Sequence, residues 1–187
     1  SVLQNFWWLL ILLGFLGTWW FRRMLADAEK RFTWDSRVLS MKWVGDLVGK
    51  METARLTRTL GTLLTNGVPL LSALSIAQNV ISNTVLRQDV KAATRDVKTG
   101  GSLARALAKG ERFPRLALQM ISVGEETGQL DEMLMKVADT YDTEVRNTID
   151  RLLAVFTPVV TLILAVLIGT IVMSVLLAIL SVNDLVG

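Results

Sequence analysis

The sequence contains no cysteine and no histidine. Without cysteine there is no disulfide framework and no thiolate metal site. Without histidine the chain lacks the commonest general base and the commonest transition-metal ligand. It has no glycine-rich nucleotide loop either, and together these absences speak against an enzyme. Charge is missing from one place above all. Leu152 to Val182 (LLAVFTPVVTLILAVLIGTIVMSVLLAILSV) runs for thirty-one residues without Asp, Glu, Lys or Arg. Roughly 20 apolar residues cross a bilayer's hydrocarbon core, so this stretch is long enough to span it with tilt or a kink.

The 187 residues are 51% hydrophobic, with a mean hydropathy of +0.44. That is apolar for a soluble domain, yet the charge is not diluted evenly. All 20 Lys and Arg, and 16 of the 17 acids, lie between Arg22 and Arg151. A polar block long enough for one domain is thus flanked by two apolar segments. The first, Phe6 to Phe21 (FWWLLILLGFLGTWWF), is bracketed by Trp7-Trp8 and Trp19-Trp20. On a helix those pairs stand about 18 to 20 Å apart, the arrangement of interfacial aromatic belts. Arg22-Arg23 follows instead of a small-residue cleavage site, so the segment reads as a membrane helix and not as a cleaved signal. The numbering opens on Ser1, not Met, which reads as a start inside a longer chain.

Arg22 and Arg23 follow the first span, and Arg146 and Arg151 precede the second, whereas the outer flanks carry no basic residue. By the positive-inside rule the polar block is expected in the cytoplasm. The predicted order is a periplasmic end over 1–5, a membrane helix over 6–21, a basic juxtamembrane connector over 22–50, a cytoplasmic helical domain over 51–151, a membrane helix over 152–182 and a periplasmic tail over 183–187. Arg22 to Arg58 holds 9 basic and 5 acidic residues, and Thr59 to Arg151 holds 11 of each. The positive excess therefore belongs to the connector, which is expected to lie near an anionic leaflet with Trp34 and Trp43 at the interface. Nucleic acid is not expected as a partner, because no basic stripe with interleaved aromatics continues into the domain.

From Met51 the pattern is helix after helix. Leu56, Leu60, Leu63 and Leu64 make one apolar face. Asn66-Gly67 stops that helix, and Pro69 suits the first turn of the next, expected over Leu70 to Ile81. Ser82 or Asn83 caps a third helix running to about Lys98 before Gly100-Gly101. Ser102 caps a short fourth, and Pro114 opens a fifth that ends around Gly124 to Gly128. A sixth begins at Gln129, and its apolar positions Leu130, Leu134, Val137, Tyr141, Val145 and Ile149 lead into the second span. No stretch alternates as a strand. The expected fold is all-α: a membrane protein with two transmembrane helices flanking an antiparallel bundle of about six helices.

Three constellations stand out. Arg87, Lys91, Arg95 and Lys98 share one side of the third helix. From Arg87 to Arg115 there are 8 basic and 3 acidic residues, and from Val123 to Arg151 there are 8 acidic and 3 basic. This polarity is either a solvated face with internal pairs such as Glu132–Lys136 and Asp142–Arg146, or a docking surface that selects a partner by charge. Gly124-Glu125-Glu126-Thr127-Gly128 places two carboxylates at a glycine-bounded junction. Glu125 and Glu126 are candidates for a partner contact or a weak hard-cation site; the alternative is a turn in which Gly124 and Gly128 are structural, as Gly67 and Pro69 are. In the second span Thr161, Ala165 and Gly169 repeat every four residues, as do Thr170, Ser174 and Ala178, a pattern suited to close helix packing. A transporter or channel subunit would need polar groups along a path, and the spans offer only Thr, Ser and Gly.

The runs ARLTRTLGTLLTNGVPLLSALSIA (Ala54 to Ala77) and ISVGEETGQLDEML (Ile121 to Leu134) resemble the type II secretion system F family. These are inner-membrane platform proteins shared by type II secretion and type IV pilus machines. The resemblance implies three membrane helices and two related cytoplasmic domains, of which this chain is similar to the second half. It also implies a non-enzymatic role without cofactor: anchoring pseudopilus assembly and coupling a cytoplasmic ATPase to export. The implied partners are the secretion ATPase, its membrane anchor proteins, pilin-like subunits, lipids and further copies of the chain. Two departures are visible. Met41-Lys42 stands where the family often has Leu-Pro, and Phe156-Thr157-Pro158 lacks the Glu that commonly precedes that proline. The ending SVNDLVG is more similar to secretion members than to pilus members.

Overall fold

The computed structural model describes residues 28–186, with side chains from residue 30 to 174 and at Leu176. The expected first span, Phe6 to Phe21, lies outside the described residues, as does the side chain of Ala178. Every element among the described residues is α-helical: α1 Ala28–Ser40, α2 Lys42–Thr65, α3 Leu70–Ala77, α4 Thr84–Lys98, α5 Leu103–Ala108, α6 Arg115–Thr127 and α7 Leu130–Val186. They fall into two units, one ending at Glu144 and the other starting at Val145. The 22–50 segment contains α1 and the first residues of α2.

Local chemistry sets the ends of these helices. Pro69 and Pro114 stand at the N-caps of α3 and α6 in extended backbone, where a missing N–H costs nothing. The Asn83 carboxamide oxygen accepts from Val85 N and Leu86 N at 3.0 and 3.1 Å and starts α4. Ser102 Oγ accepts from Arg105 N at 3.3 Å and starts α5. At the end of α2, Gly67 N donates to Leu64 O and Val68 N to Leu63 O, with Gly67 at φ 78°. That paired pattern closes a helix through one left-handed residue, which glycine adopts without strain.

α3 ends at Ala77, four residues before the expected Ile81. Asn79 N and Val80 N turn back to Ile76 O and Ala77 O, and the Gln78 and Asn79 carboxamides both donate to Ser75 O. Side chains thus take up the last carbonyls and tighten the turn. α7 behaves differently: Pro158 lies inside it and does not end it. Among the described residues, α7 is the one helix long and apolar enough to cross a membrane, and its apolar window is wholly unburied.

The core of the first unit is built from the inward stripes. Leu56, Leu60, Leu74, Ile81, Leu86, Leu103, Leu107, Ile121 and Leu134 are all fully buried, with the half-buried Leu63 and Leu64 packed against them. A second cluster joins Ala54, Ala117, Val137 and Tyr141. α2 and α7 run antiparallel. Lys50 pairs with Glu144 at 3.0 Å, Arg58 with Asp142 and Asp139 at 2.6 and 2.7 Å, and Gly61 lies against Met135 and Asp131.

Buried helix N-termini present N–H groups that have no partner in their own helix. Here other helices supply the acceptors. The Glu52 carboxylate, from α2 and only 2% exposed, accepts from Ser82 N and Asn83 N at 3.1 to 3.2 Å. Asp35 of α1 accepts from Thr84 N and Thr84 Oγ1, both at 2.7 Å. The start of α4 is therefore held by two carboxylates from two other helices. Tyr141 of α7 meets the backbone of Ala117 in the first turn of α6.

Two consequences are measurable. Glu52→Ala leaves the buried Asn83 amide and the part-buried Ser82 amide without this acceptor and is expected to destabilise the bundle by about 1–3 kcal/mol. A thermal melt in detergent unchanged by this substitution would refute the capping role. The second concerns alkaline pH. Hydrogen bonds to Asp46 and then to Glu144 hold the Lys50 ammonium above its ordinary 10.5. Burial pushes the Tyr141 phenol above 10.0, against a backbone hydrogen bond from Ala117 that pulls it down. The Lys50 contribution is complete below its unfolded pKa and is lost as pH rises through the folded value. Tyr141 acts in the same direction, because the unfolded chain ionises first. The melting temperature should therefore fall above about pH 10, and less steeply in Tyr141→Phe. A flat profile through that range would count against both assignments.

Candidate functional site

α4 turns Leu86, Val90 and Ala93 into the core, so its opposite side meets solvent. Lys91, Arg95 and Lys98 stand exposed on that side. Arg87 does not join them fully. Its half-buried guanidinium donates to Ile81 O, through Nε at 3.0 Å and also through Nη2. Arg87 thus closes the α3–α4 connection, while the three residues after it remain outward. Lys98 and Arg95 also lie in the last turn of α4, where cations oppose the helix dipole's negative end.

Two of the three acids of this region are committed, and the third, Glu111, is exposed. Asp89 takes Arg112 at 2.9 Å, and Asp96 takes Lys109. Both pairs tie α4 to α5 or to the loop after it, and they line a cavity of about 280 Å³ with Gly110. A Cβ at Gly110 would fall 2.6 Å from the Asp89 carboxylate, so glycine permits that approach. Lys91, Arg95, Lys98 and Arg105 lie exposed, and among the described residues no acid pairs with them. A cluster of exposed cations suits charge-complementary docking.

Several carboxylates of the acidic end pair with cations of α2 at the surface of the bundle. Asp139 and Asp142 turn to Arg58, and Glu144 turns to Lys50. Asp142 therefore reaches α2, where sequence spacing had paired it with Arg146. Glu132–Lys136 forms as expected, at 2.7 Å on the surface of α7.

Glu125 and Glu126 separate. Glu125 is half-buried and accepts from Ser102 Oγ and Leu103 N at 2.6 Å and from Ala104 N at 3.2 Å. It is the remote cap of α5. Glu126 is exposed and accepts only Ser122 Oγ, at 3.2 Å in its own helix. Among the described residues there is no group of three acids placed to hold a metal ion. The flanking glycines have distinct reasons. A Cβ at buried Gly124 would lie 2.9 Å from Leu130 Cα and 3.0 Å from Met133 Cβ, so α6 and α7 meet there. Gly128 ends α6 at φ 73°. Pro69 is the exposed N-cap of α3, and Gly67 the left-handed residue before it.

In the uncharged part of α7, Thr161, Ala165, Gly169, Thr170 and Ser174 are all exposed. Thr161 and Thr170 donate back to Thr157 O and Val166 O at 3.0 and 2.8 Å, so their hydroxyls are satisfied within the helix. A Cβ added at Gly169 would meet open space. Sequence reading passed over Asp35 and Glu52, which hold the start of α4 from 49 and 30 residues away. A lone acid on a helix carries no local mark of such a role.

Comparison with known proteins agrees with this architecture. The family described as Type II secretion system (T2SS), protein F matches residues 56–178. Type II secretion system protein F of Xanthomonas campestris pv. campestris is 51% identical over 100% of the chain, which covers 46% of that relative. The Vibrio cholerae protein of the same name is 34% identical over 95% of the chain and 43% of its own length. Type IV pilus assembly protein PilC of Pseudomonas aeruginosa is 36% identical over 97% of the chain and 49% of its own length. The chain thus spans about half the length of the curated relatives it matches. With a helical bundle, an uncharged helix and these relatives, the chain belongs to the type II secretion system protein F family.

Proposed function

We propose that this chain is part of an inner-membrane platform protein of a type II secretion system. It anchors pseudopilus assembly and couples a cytoplasmic ATPase to protein export. One observation carries the reading. A compact helical unit ends in a helix that runs on without a break into an uncharged, wholly unburied stretch. Such a helix suits a bilayer, because its backbone hydrogen bonds are satisfied within the element itself. In this reading Phe6–Phe21 and Leu152–Val182 cross the membrane and the bundle faces the cytoplasm. The small residues at Thr161, Ala165, Gly169, Thr170, Ser174 and Ala178 receive a neighbouring helix, from a pilin-like subunit or a second copy. The work is mechanical and requires no cofactor. The relatives include pilus assembly proteins; the higher identity to the Xanthomonas secretion protein favours secretion.

Lys91, Arg95 and Lys98 form the docking surface for the ATPase or its membrane anchor protein. Co-expression with the cognate ATPase and anchor, followed by purification in mild detergent, tests this. Recovery of a complex is expected for the native chain, falling roughly tenfold or more for Lys91→Glu/Arg95→Glu/Lys98→Glu, with an unchanged helical CD spectrum. Full recovery with the triple variant would remove the docking assignment. Arg87 is left intact because its reversal would break the bond to Ile81 O.

The two glutamates give a second comparison. Glu125→Ala strips the acceptor from two amides at the start of α5 and should lower stability by about 1–3 kcal/mol. Glu126→Ala should leave the melt within about 0.5 kcal/mol of the native chain. Glu126, and not Glu125, is then the member of the pair available to a partner. Equal melts for the two variants would contradict this division.

A further inference from the structure

α1 and α2 meet at a corner made of the single residue Met41. Met41 N donates to Val38 O at 3.2 Å, and Gly45 N to Met41 O at 2.7 Å. Ser40 Oγ donates to Arg37 O at 2.7 Å. A Cβ on Gly45 would fall 2.2 Å from Leu39 O, so the chain turns as tightly as glycine permits. The corner has no slack. α2 buries Gly45, Gly49 and Glu52, and Trp43 stands two residues before Gly45, about 200° around the helix. The tryptophan is therefore forced outward and is 87% exposed, with Met41 at 56% and Val44 at 42% beside it. Contiguous exposed apolar side chains around a tryptophan mark a contact surface.

Cations flank this corner. Arg37 and Lys42 are exposed. Of the nearby acids, Asp35 bonds Thr84, and the exposed Asp46 is paired with Lys50 at 2.9 Å. Lys50 also bonds Glu144.

We propose that the α1–α2 corner is a lipid-surface anchor. Met41, Trp43 and Val44 enter the headgroup boundary of an anionic leaflet, and Arg37 and Lys42 meet its phosphates. An amphipathic ring with flanking cations has the chemistry of that boundary. The anchor gives the bundle a second attachment besides α7 and restricts its swing relative to the bilayer. The inference rests on the reading that Leu152–Val182 crosses the membrane.

The absence of cysteine allows single nitroxide labels at chosen positions. The labelled positions are Val44→Cys, which leaves Trp43 in place, Met41→Cys as an independent reporter, Gln88→Cys on exposed α4 and Leu164→Cys in the uncharged stretch. The chain is reconstituted into vesicles of phosphatidylcholine with phosphatidylglycerol, and oxygen and a nickel chelate compete to relax the label. The expected ratio of oxygen to nickel accessibility at 44 and 41 is roughly threefold or more above that at 88, and below that at 164. It should fall to the value at 88 when Trp43→Ser and Lys42→Glu are added. Ratios at 44 and 41 equal to that at 88, with 164 in the acyl core, would overturn the anchor alone. So would labels shielded from both reagents and coupled to one another until diluted with unlabelled chain, because a second copy would then cover the corner. A water-like ratio at 164 would overturn the spanning reading and the anchor with it.

Discussion

The bundle depends on finding acceptors for helix N-termini that pack into the interior. An amide buried without a partner costs as much as a substantial part of a small domain's stability. α4 meets this need with its own Asn83, with Glu52 from α2 and with Asp35 from α1. α5 meets it with Ser102 and with Glu125 from α6. Each remote cap is also a tie between helices, and its geometry fixes where the capped helix begins relative to the one that caps it. Hydrophobic contact among Leu56, Leu60, Leu86 and Leu107 holds the helices together but tolerates sliding. Directional bonds to carboxylates tolerate far less.

The same economy shapes the surface. Carboxylates that cap helices or pair across them are neutralised by a donor or a cation, even where they stay exposed. Asp89, Asp96, Asp139, Asp142 and Glu144 each face a cation from another part of the bundle. The cations without such a partner, Lys91, Arg95 and Lys98, stay on the outside of α4. A chain with nearly balanced charge thus presents a cluster of cations along one side of α4. Individually these exposed charges add little stability; together they set which partner approaches and how fast.

Much of the fold was legible in the sequence because helices announce themselves locally. The caps at Asn83 and Ser102, the prolines at 69 and 114, and the glycines at 67 and 128 act within a turn of where they stand. The stops they imply are the stops observed. The end of α3 was less legible: Gln78 and Asn79 bond back to Ser75 and shorten it, while the apolar residues Val80 and Ile81 continue the helical pattern on paper. The GEETG run was legible as a special junction. That Glu125 turns to the start of α5 while Glu126 faces water was not, since the two are adjacent and chemically equal.

The sequence by itself determined the helical class, the order of the helices from α2 onward and the uncharged length of α7, which follow from periodicity, capping residues and the exclusion of charge from one stretch, all acting at short range along the chain. The family was legible separately, from the resemblance carried by the runs Ala54 to Ala77 and Ile121 to Leu134. Only the tertiary structure decided which charges remain available. Arg87 and Lys91 read alike along α4, but one reaches Ile81 O and the other reaches solvent. Trp34 and Trp43 read alike in the connector, but the tight corner at Gly45 leaves Trp43 far more exposed. A residue's partner is set by what the fold brings within about 3 Å of it, and that distance is absent from the order of residues along the chain.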